Sequence, residues 1–258
     1  MTKTPRPAGG ESSFKDHFSG HAESYAAYRP GYPGGLFDFL AACCERRRHA
    51  WDCATGNGQT AIRLTRYFER VTATDASGAQ IEAATPHPKI DYRVATAEHS
   101  GLSGGSVDLV TVAQALHWFD IERFFAEAVH VLAPGGVLAV WSYGKCTVHP
   151  DIDAVVGKLY RDLDAWWPPE RRMVDDRYRG IELPMPAIAA PGFEMTARWS
   201  VDAMLGYLRT WSASQRCLRS CGADPVSAVE TALRALWDGG ERPVCWPLTL
   251  KIGRKAGA

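Results

Sequence analysis

The stretch Trp51-Asp52-Cys53-Ala54-Thr55-Gly56-Asn57-Gly58-Gln59-Thr60 decides how this chain is read. His49 to Cys53 predicts a short strand before it, and Gln59 to Phe68 predicts a helix after it, with Ile62, Leu64 and Phe68 turned inward. Glycines at a strand-to-helix turn let the backbone approach a ligand with no Cβ in the way. Asp75 stands seventeen residues after Gly58 and closes the next predicted strand, Val71 to Thr74. A carboxylate at that place can accept two hydrogen bonds from a ribose diol. The pair predicts a nucleoside site at the carboxyl edge of a sheet; the plainer role for Asp75 is to cap the helix at Ala79.

Working outward, Leu36 to Arg48 predicts a helix before the loop. Ala79 to Ala84 predicts a helix, Ile90 to Val94 a strand, Val107 to Ala113 a buried strand and Ile121 to Leu132 a helix. Pro134-Gly135-Gly136 then turns into a strand, Val137 to Trp141. Strand and helix alternate at least four times, which implies an α/β fold: a parallel sheet with helices on both faces. Ile152 to Trp167 reads as a helix stopped by Pro168-Pro169, and residues 168–192 as irregular chain. Phe193 to Val201 predicts a strand, Ala203 to Trp211 and Val226 to Trp237 helices, and Val244 to Ile252 a final strand.

The 258 residues carry 29 Lys+Arg against 29 Asp+Glu. A net charge of zero argues against a nucleic-acid surface, because phosphate binding needs a cationic field. Arg46-Arg47-Arg48 is the one basic cluster, and three arginines closing a helix answer its C-terminal dipole. The seven cysteines have no framework spacing, and Cys217 and Cys221 alone cannot make a metal site, so reduced thiols in a cytoplasmic protein without a bound metal are expected. Residues 1–13 read as a disordered tail, neither signal nor transit peptide. No stretch approaches the roughly 18 apolar residues of a membrane span.

Gly56-Asn57-Gly58-Gln59-Thr60-Ala61 also satisfies the weak dinucleotide pattern, which keeps a nicotinamide-dependent oxidoreductase using Gly56, Gly58 and Ala61 as the rival reading. Asp52 is expected to separate the two: an acid beside the turn repels a pyrophosphate and attracts an ammonium or sulfonium. Its plainer role is to cap the turn. The favoured ligand is a nucleoside carrying a cation, which describes S-adenosylmethionine.

On these residues the chain resembles class I S-adenosylmethionine-dependent methyltransferases of the small-molecule kind. Asp52 to Gly58 resembles their acidic, glycine-rich first motif, with Ala54 where the first glycine usually stands. Asp75 and the following Ala76 match the ribose acid. Ala95-Thr96-Ala97-Glu98 matches the adenine-reading segment, with Thr96 in place of the common aspartate. Val107-Asp108-Leu109-Val110 resembles the fourth strand, and Leu132-Ala133-Pro134-Gly135-Gly136 the turn before the fifth. The flanks Tyr25 to Pro33, Ala115-Leu116-His117-Trp118-Phe119, Thr210-Trp211-Ser212-Ala213 and Trp246-Pro247-Leu248 resemble the trans-aconitate methyltransferase-like subgroup.

The resemblance implies a Rossmann-like, doubly wound sheet of seven strands in order 3-2-1-4-5-7-6, the last antiparallel. It implies one domain over 14–258: a helical lid at 14–33, a cofactor core at 34–144 and a substrate cap at 145–258. Tyr25, Arg29, Asp52, Ala54, Gly56, Gly58, Asp75, Ala76, Thr96, Ala97, Ala113 and Gln114 are expected around S-adenosylmethionine, with S-adenosylhomocysteine as product. The implied partner is a small molecule, with no nucleic acid and no membrane, and the chain is expected as a monomer or homodimer.

Methyl transfer is an in-line displacement that asks mainly for near-attack geometry and exclusion of water. Tyr25, Tyr28 and Trp118 are candidates to steady the cationic donor. His117 is a candidate general base, or a structural histidine, and Trp118 is alternatively a core aromatic. A carboxylate acceptor needs no base, being ionised already at pH 7. Arg29 is a candidate clasp for a carboxylate, or a surface arginine in a Pro-rich turn. Trp166-Trp167 and Trp211 lie where an acceptor pocket is expected. A non-catalytic cofactor-binding scaffold for a protein partner is the reading from a different class.

Overall fold

The computed structural model describes residues 31–257. Tyr25, Tyr28, Arg29, the tail at 1–13 and most of the expected lid lie outside the described residues. Strands β1 (His49–Cys53), β2 (Arg70–Asp75), β3 (Ile90–Val94), β4 (Val107–Ala113) and β5 (Leu132–Tyr143) pair in parallel. β6 (Glu194–Trp199) and β7 (Arg242–Arg254) complete the sheet in the order β3-β2-β1-β4-β5-β7-β6, with β7 antiparallel to both neighbours. This is the strand order and the antiparallel last strand that the resemblance implied.

The central strands are covered on both faces, so β1 is buried at every position and β4 at all but its last. On one face α1 (Gly34–Ala42) and α2 (Gln59–Leu64) bury Leu36, Phe37, Leu40, Ala61 and Leu64 against Trp141 and Val137. α3 (Gly78–Glu82) follows β2. On the other face α4 (Ile121–Val131) buries Phe124, Ala128 and Val131, an i, i+4, i+7 stripe, against Trp51 and Val110.

The third cluster is the cap. α5 (Pro150–Asp162), α6 (Arg171–Asp175), α7 (Val201–Arg209), α8 (Ser212–Cys221) and α9 (Ser227–Trp237) lie in the later chain. Ile152, Val156, Leu208, Leu233 and Trp237 pack with Trp246 of β7. Two of these helices were not expected: α6 lies within residues 168–192, read as irregular chain, where only Val174 of its five residues is buried, and α8 (SASQRCLRSC) is polar overall, with only Ala213 and Ser214 buried.

Three boundaries differ for identifiable reasons. α1 ends at Ala42 rather than Arg48, because the Asp108 carboxylate accepts the backbone N–H groups of Arg48 and His49 at 2.9 and 3.1 Å and draws them into β1. Of the three arginines expected at that helix end, Arg47 alone reaches a helix carbonyl, Ala41 O at 3.0 Å, while Arg46 pairs with Asp108. Pro134-Gly135-Gly136 is not a turn before β5 but an irregularity within it, where the register against β4 shifts between Leu132 and Val137. The helix expected to run to Trp167 stops at Asp162 and continues as a 3₁₀ turn, Asp164–Trp166.

Candidate active site

The registers set Cys53 level with Thr74 and Val112, and Asp75 level with Val94, so the loops after β1 to β4 leave from one edge of the sheet. The first loop alternates left-handed positions: Ala54 at φ 53°, Gly56 at 57° and Gly58 at 89°. Ala54 occupies the place of the usual first glycine in the conformation that favours glycine, a strain of about 1–2 kcal/mol. Gly58 begins α2, and a Cβ there would run into the Tyr92 hydroxyl. A Cβ on Gly56 would come no closer than 3.8 Å to Gln80, so its side stays open.

Asp75 orders this loop. Its Oδ2 accepts the Gly56 N–H at 2.9 Å and its Oδ1 accepts the Ser77 N–H at 2.9 Å. The cap of α3 is Ser77, whose hydroxyl accepts from Gln80 N, and not Asp75. Thr55 N donates to Thr74 O at 2.9 Å, which ties the loop to β2.

Asp52 lies beneath the loop, 1% exposed. Thr55 Oγ1 donates to its Oδ2 at 2.5 Å and Thr111 Oγ1 to its Oδ1 at 2.8 Å. Burial pushes its carboxyl up to about 6, against the opposing pull of these hydroxyls. Asp52 is thus enclosed beneath the loop, with both carboxylate oxygens engaged by Thr55 and Thr111.

The remaining sequence candidates divide. Ala76 is half-buried beside Asp75, and Thr96 is exposed beyond β3, its hydroxyl without a hydrogen bond among the described residues. Ala97 is buried beneath it. Ala113 ends β4, and Gln114 follows at φ 56°. The Gln114 side chain latches the adjacent strand end: its Nε2 donates to Tyr143 O at 3.1 Å and its Oε1 accepts from Tyr143 N at 2.8 Å. Gln114 thus presents backbone to the site.

His117 and Trp118 form a 3₁₀ turn after β4, their rings 4.7 Å apart. His117 is buried, its Nδ1 paired with the Tyr178 hydroxyl at 3.0 Å. Burial, and then the positive charge of Arg171, hold its pKa down to about 3. A neutral imidazole of so low a basicity is a poor proton acceptor, which favours the structural role.

Tyr178 was missed from sequence. It is fully buried, and it follows Arg177 in a pair of left-handed residues, φ 54° and 51°. Such strain persists where the surroundings impose it. In the later chain an aromatic wall forms: Tyr160 stacks on Trp167 at 4.6 Å, and Trp211 meets both rings at 5.6 and 5.5 Å. Of the tryptophans expected at a pocket, Trp167 and Trp211 are thus brought together.

Known proteins resemble this chain. A family described as Methyltransferase domain matches residues 51–140. A candidate methyltransferase of Dictyostelium discoideum is 35% identical over 238 residues, 87% of this chain and 88% of that one. An uncharacterized methyltransferase of Mycobacterium tuberculosis is 35% identical over 127 residues, 48% of this chain and 51% of that one. The solved structure of a candidate type II methyltransferase from Anaeromyxobacter dehalogenans superposes with a TM-score of 0.83 at 45% identity, covering 89% of this chain and 99% of that one. With the seven-stranded order and the glycine loop in place, near-full-length likeness of this kind settles the family: the chain belongs to the class I S-adenosylmethionine-dependent methyltransferases.

Proposed function

We propose that this chain transfers a methyl group from S-adenosylmethionine to a small molecule. The observation that carries the reading is the loop Ala54–Gly58, held in three left-handed turns by the Asp75 carboxylate at Gly56 N. The open side of Gly56, the ribose-level acid and the unengaged hydroxyl of Thr96 fit the cofactor. S-adenosylmethionine supplies an electrophilic methyl on a sulfonium. Asp75 would accept the ribose hydroxyls, Ala76 and Ala97 would flank the base, and Thr96 would accept from the adenine amine. Asp52 acts one layer down, fixing Thr55 and with it the loop.

On the other half of the edge, Trp118, half-buried after β4, would offer its aromatic ring to the cationic methyl donor. The Gln114 latch holds β4 and β5 in fixed relation, and the cap excludes water from the acceptor. With His117 neutral and enclosed, the site is better suited to an acceptor that needs no deprotonation, such as a carboxylate. The flanking motifs favour the trans-aconitate methyltransferase-like subgroup, with residues 34–144 as cofactor core and 145–258 as cap. A screen of metabolite pools with an isotope-labelled methyl donor tests the reading. Label should enter a small acidic molecule; label in no small molecule, with the cofactor bound, would favour the scaffold reading.

A further inference from the structure

Arg171 opens α6 and lies in the cap between the aromatic wall and the His117 turn. Its Nε is engaged, with the Tyr160 hydroxyl at 3.3 Å and the Asp175 carboxylate at 3.4 Å. Its guanidinium rests over Trp167 at 5.4 Å and Tyr160 at 6.0 Å. Neither terminal nitrogen makes a hydrogen bond among the described residues, although the side chain is only 18% exposed. Neither is sealed off from solvent. A guanidinium so placed keeps its two-pronged edge unengaged while its stem, Nε and faces are fixed.

A second cation converges on the same ring. Lys145 follows β5, next to the His117 turn after β4, and its ammonium lies 4.7 Å from the Tyr160 centroid without a hydrogen bond or ion pair among the described residues. Asp175 is the acid paired with Arg171 there, so two positive charges face one negative charge. The surplus of one suits a monoanion, and the planar fork of Arg171 matches a carboxylate bidentately.

We propose that Arg171, assisted by Lys145, anchors a carboxylate of the methyl acceptor, whose apolar body lies along Tyr160 and Trp167. The proposal rests on the methyl-transfer reading for the word acceptor, but the anion site itself does not need a cofactor.

Titration calorimetry on the full chain tests it, with phenylacetate, trans-cinnamate and hexanoate each compared with its primary amide. At least one carboxylate should bind saturably, at least about tenfold tighter than its amide. Arg171→Gln should erase that preference while S-adenosylhomocysteine affinity stays within about twofold, and Arg171→Lys should restore part of it. Should Arg171→Gln not fold, the exposed Lys145→Ala should weaken the carboxylate about threefold and leave the amide alone. Equal binding of acid and amide, no binding of any carboxylate, or a preference that survives these changes overturns the proposal. A wild-type chain that prefers carboxylates but ignores S-adenosylhomocysteine would keep the anion site and sink the methyl-transfer reading instead.

Discussion

The two halves of the sheet's carboxyl edge are built by different means. The half over β1 to β3 is a backbone device: three left-handed turns, one carboxylate and amides paired to it, all within residues 54–77. The half over β4 and β5 is a side-chain device: His117 with Tyr178, Gln114 with the Tyr143 backbone, Arg171 with Asp175 beneath Tyr160. The first is where we read the cofactor common to the family as binding, and its parts are local in sequence. The second is assembled across long separations and can change its ligand by changing side chains, with the sheet untouched.

The sharpest way to break this contrast is at Gly58. Gly58→Val places a branched side chain at φ 89° and into Tyr92. We expect loss of S-adenosylhomocysteine affinity by about a hundredfold or more, roughly 3 kcal/mol, read by calorimetry, with the cap tryptophan fluorescence unchanged. Asp75→Ala comes next. It removes the acceptor of the Gly56 and Ser77 amides as well as the ribose partner, and the affinity should fall by about 1.5–3 kcal/mol. An unchanged affinity in a folded variant would remove Asp75 from the site.

The halves also carry opposite pH signatures. The carboxyl of Asp52 is raised from 3.8 to about 6 in the fold, so the folded state holds more protons between these values and the Asp52 contribution is lost as pH rises. The His117 imidazole is lowered from 6.5 to about 3, so the unfolded state holds more protons and this contribution is lost as pH falls. Between pH 4 and 6 the two oppose each other. Urea unfolding of Asp52→Asn across that range should show stability rising with pH more steeply than in the wild type, by up to about 1.4 kcal/mol per pH unit. His117→Gln should tilt the profile the other way. Parallel profiles in all three proteins would contradict the burial of both groups.

The smallest effect is expected from Tyr178→Phe. Losing the hydroxyl paired with His117 should cost about 1 kcal/mol of stability and leave S-adenosylhomocysteine affinity unchanged. A fall in that affinity would show that the two halves are coupled rather than independent.

The same contrast explains what the sequence disclosed. The glycine loop and Asp75 were legible because each is a short string whose backbone geometry follows from residue type: Gly56 and Gly58 do take positive φ, and Asp75 does sit at the end of β2. The alternation of strand and helix disclosed the α/β class, whereas the strand order came only from the family resemblance. The direction of Asp52 was not legible, because its burial depends on Thr111, which reaches it from β4. Tyr178 lies 61 residues from its partner in a Pro-rich stretch without periodicity, and Arg171 lies in the same stretch. The helix Ser212–Cys221 is polar overall and buries only Ala213 and Ser214, so it carries little of the large apolar patterning that marks a helix in sequence.

We read the glycine loop over β1 and β2 as the site of S-adenosylmethionine and not of a dinucleotide. Titration calorimetry of the full chain with S-adenosylhomocysteine and, separately, with NADH measures this directly. One saturable site for S-adenosylhomocysteine is expected, lost in Gly58→Val, with no heat from NADH. Saturable binding of NADH with silence toward S-adenosylhomocysteine would contradict it.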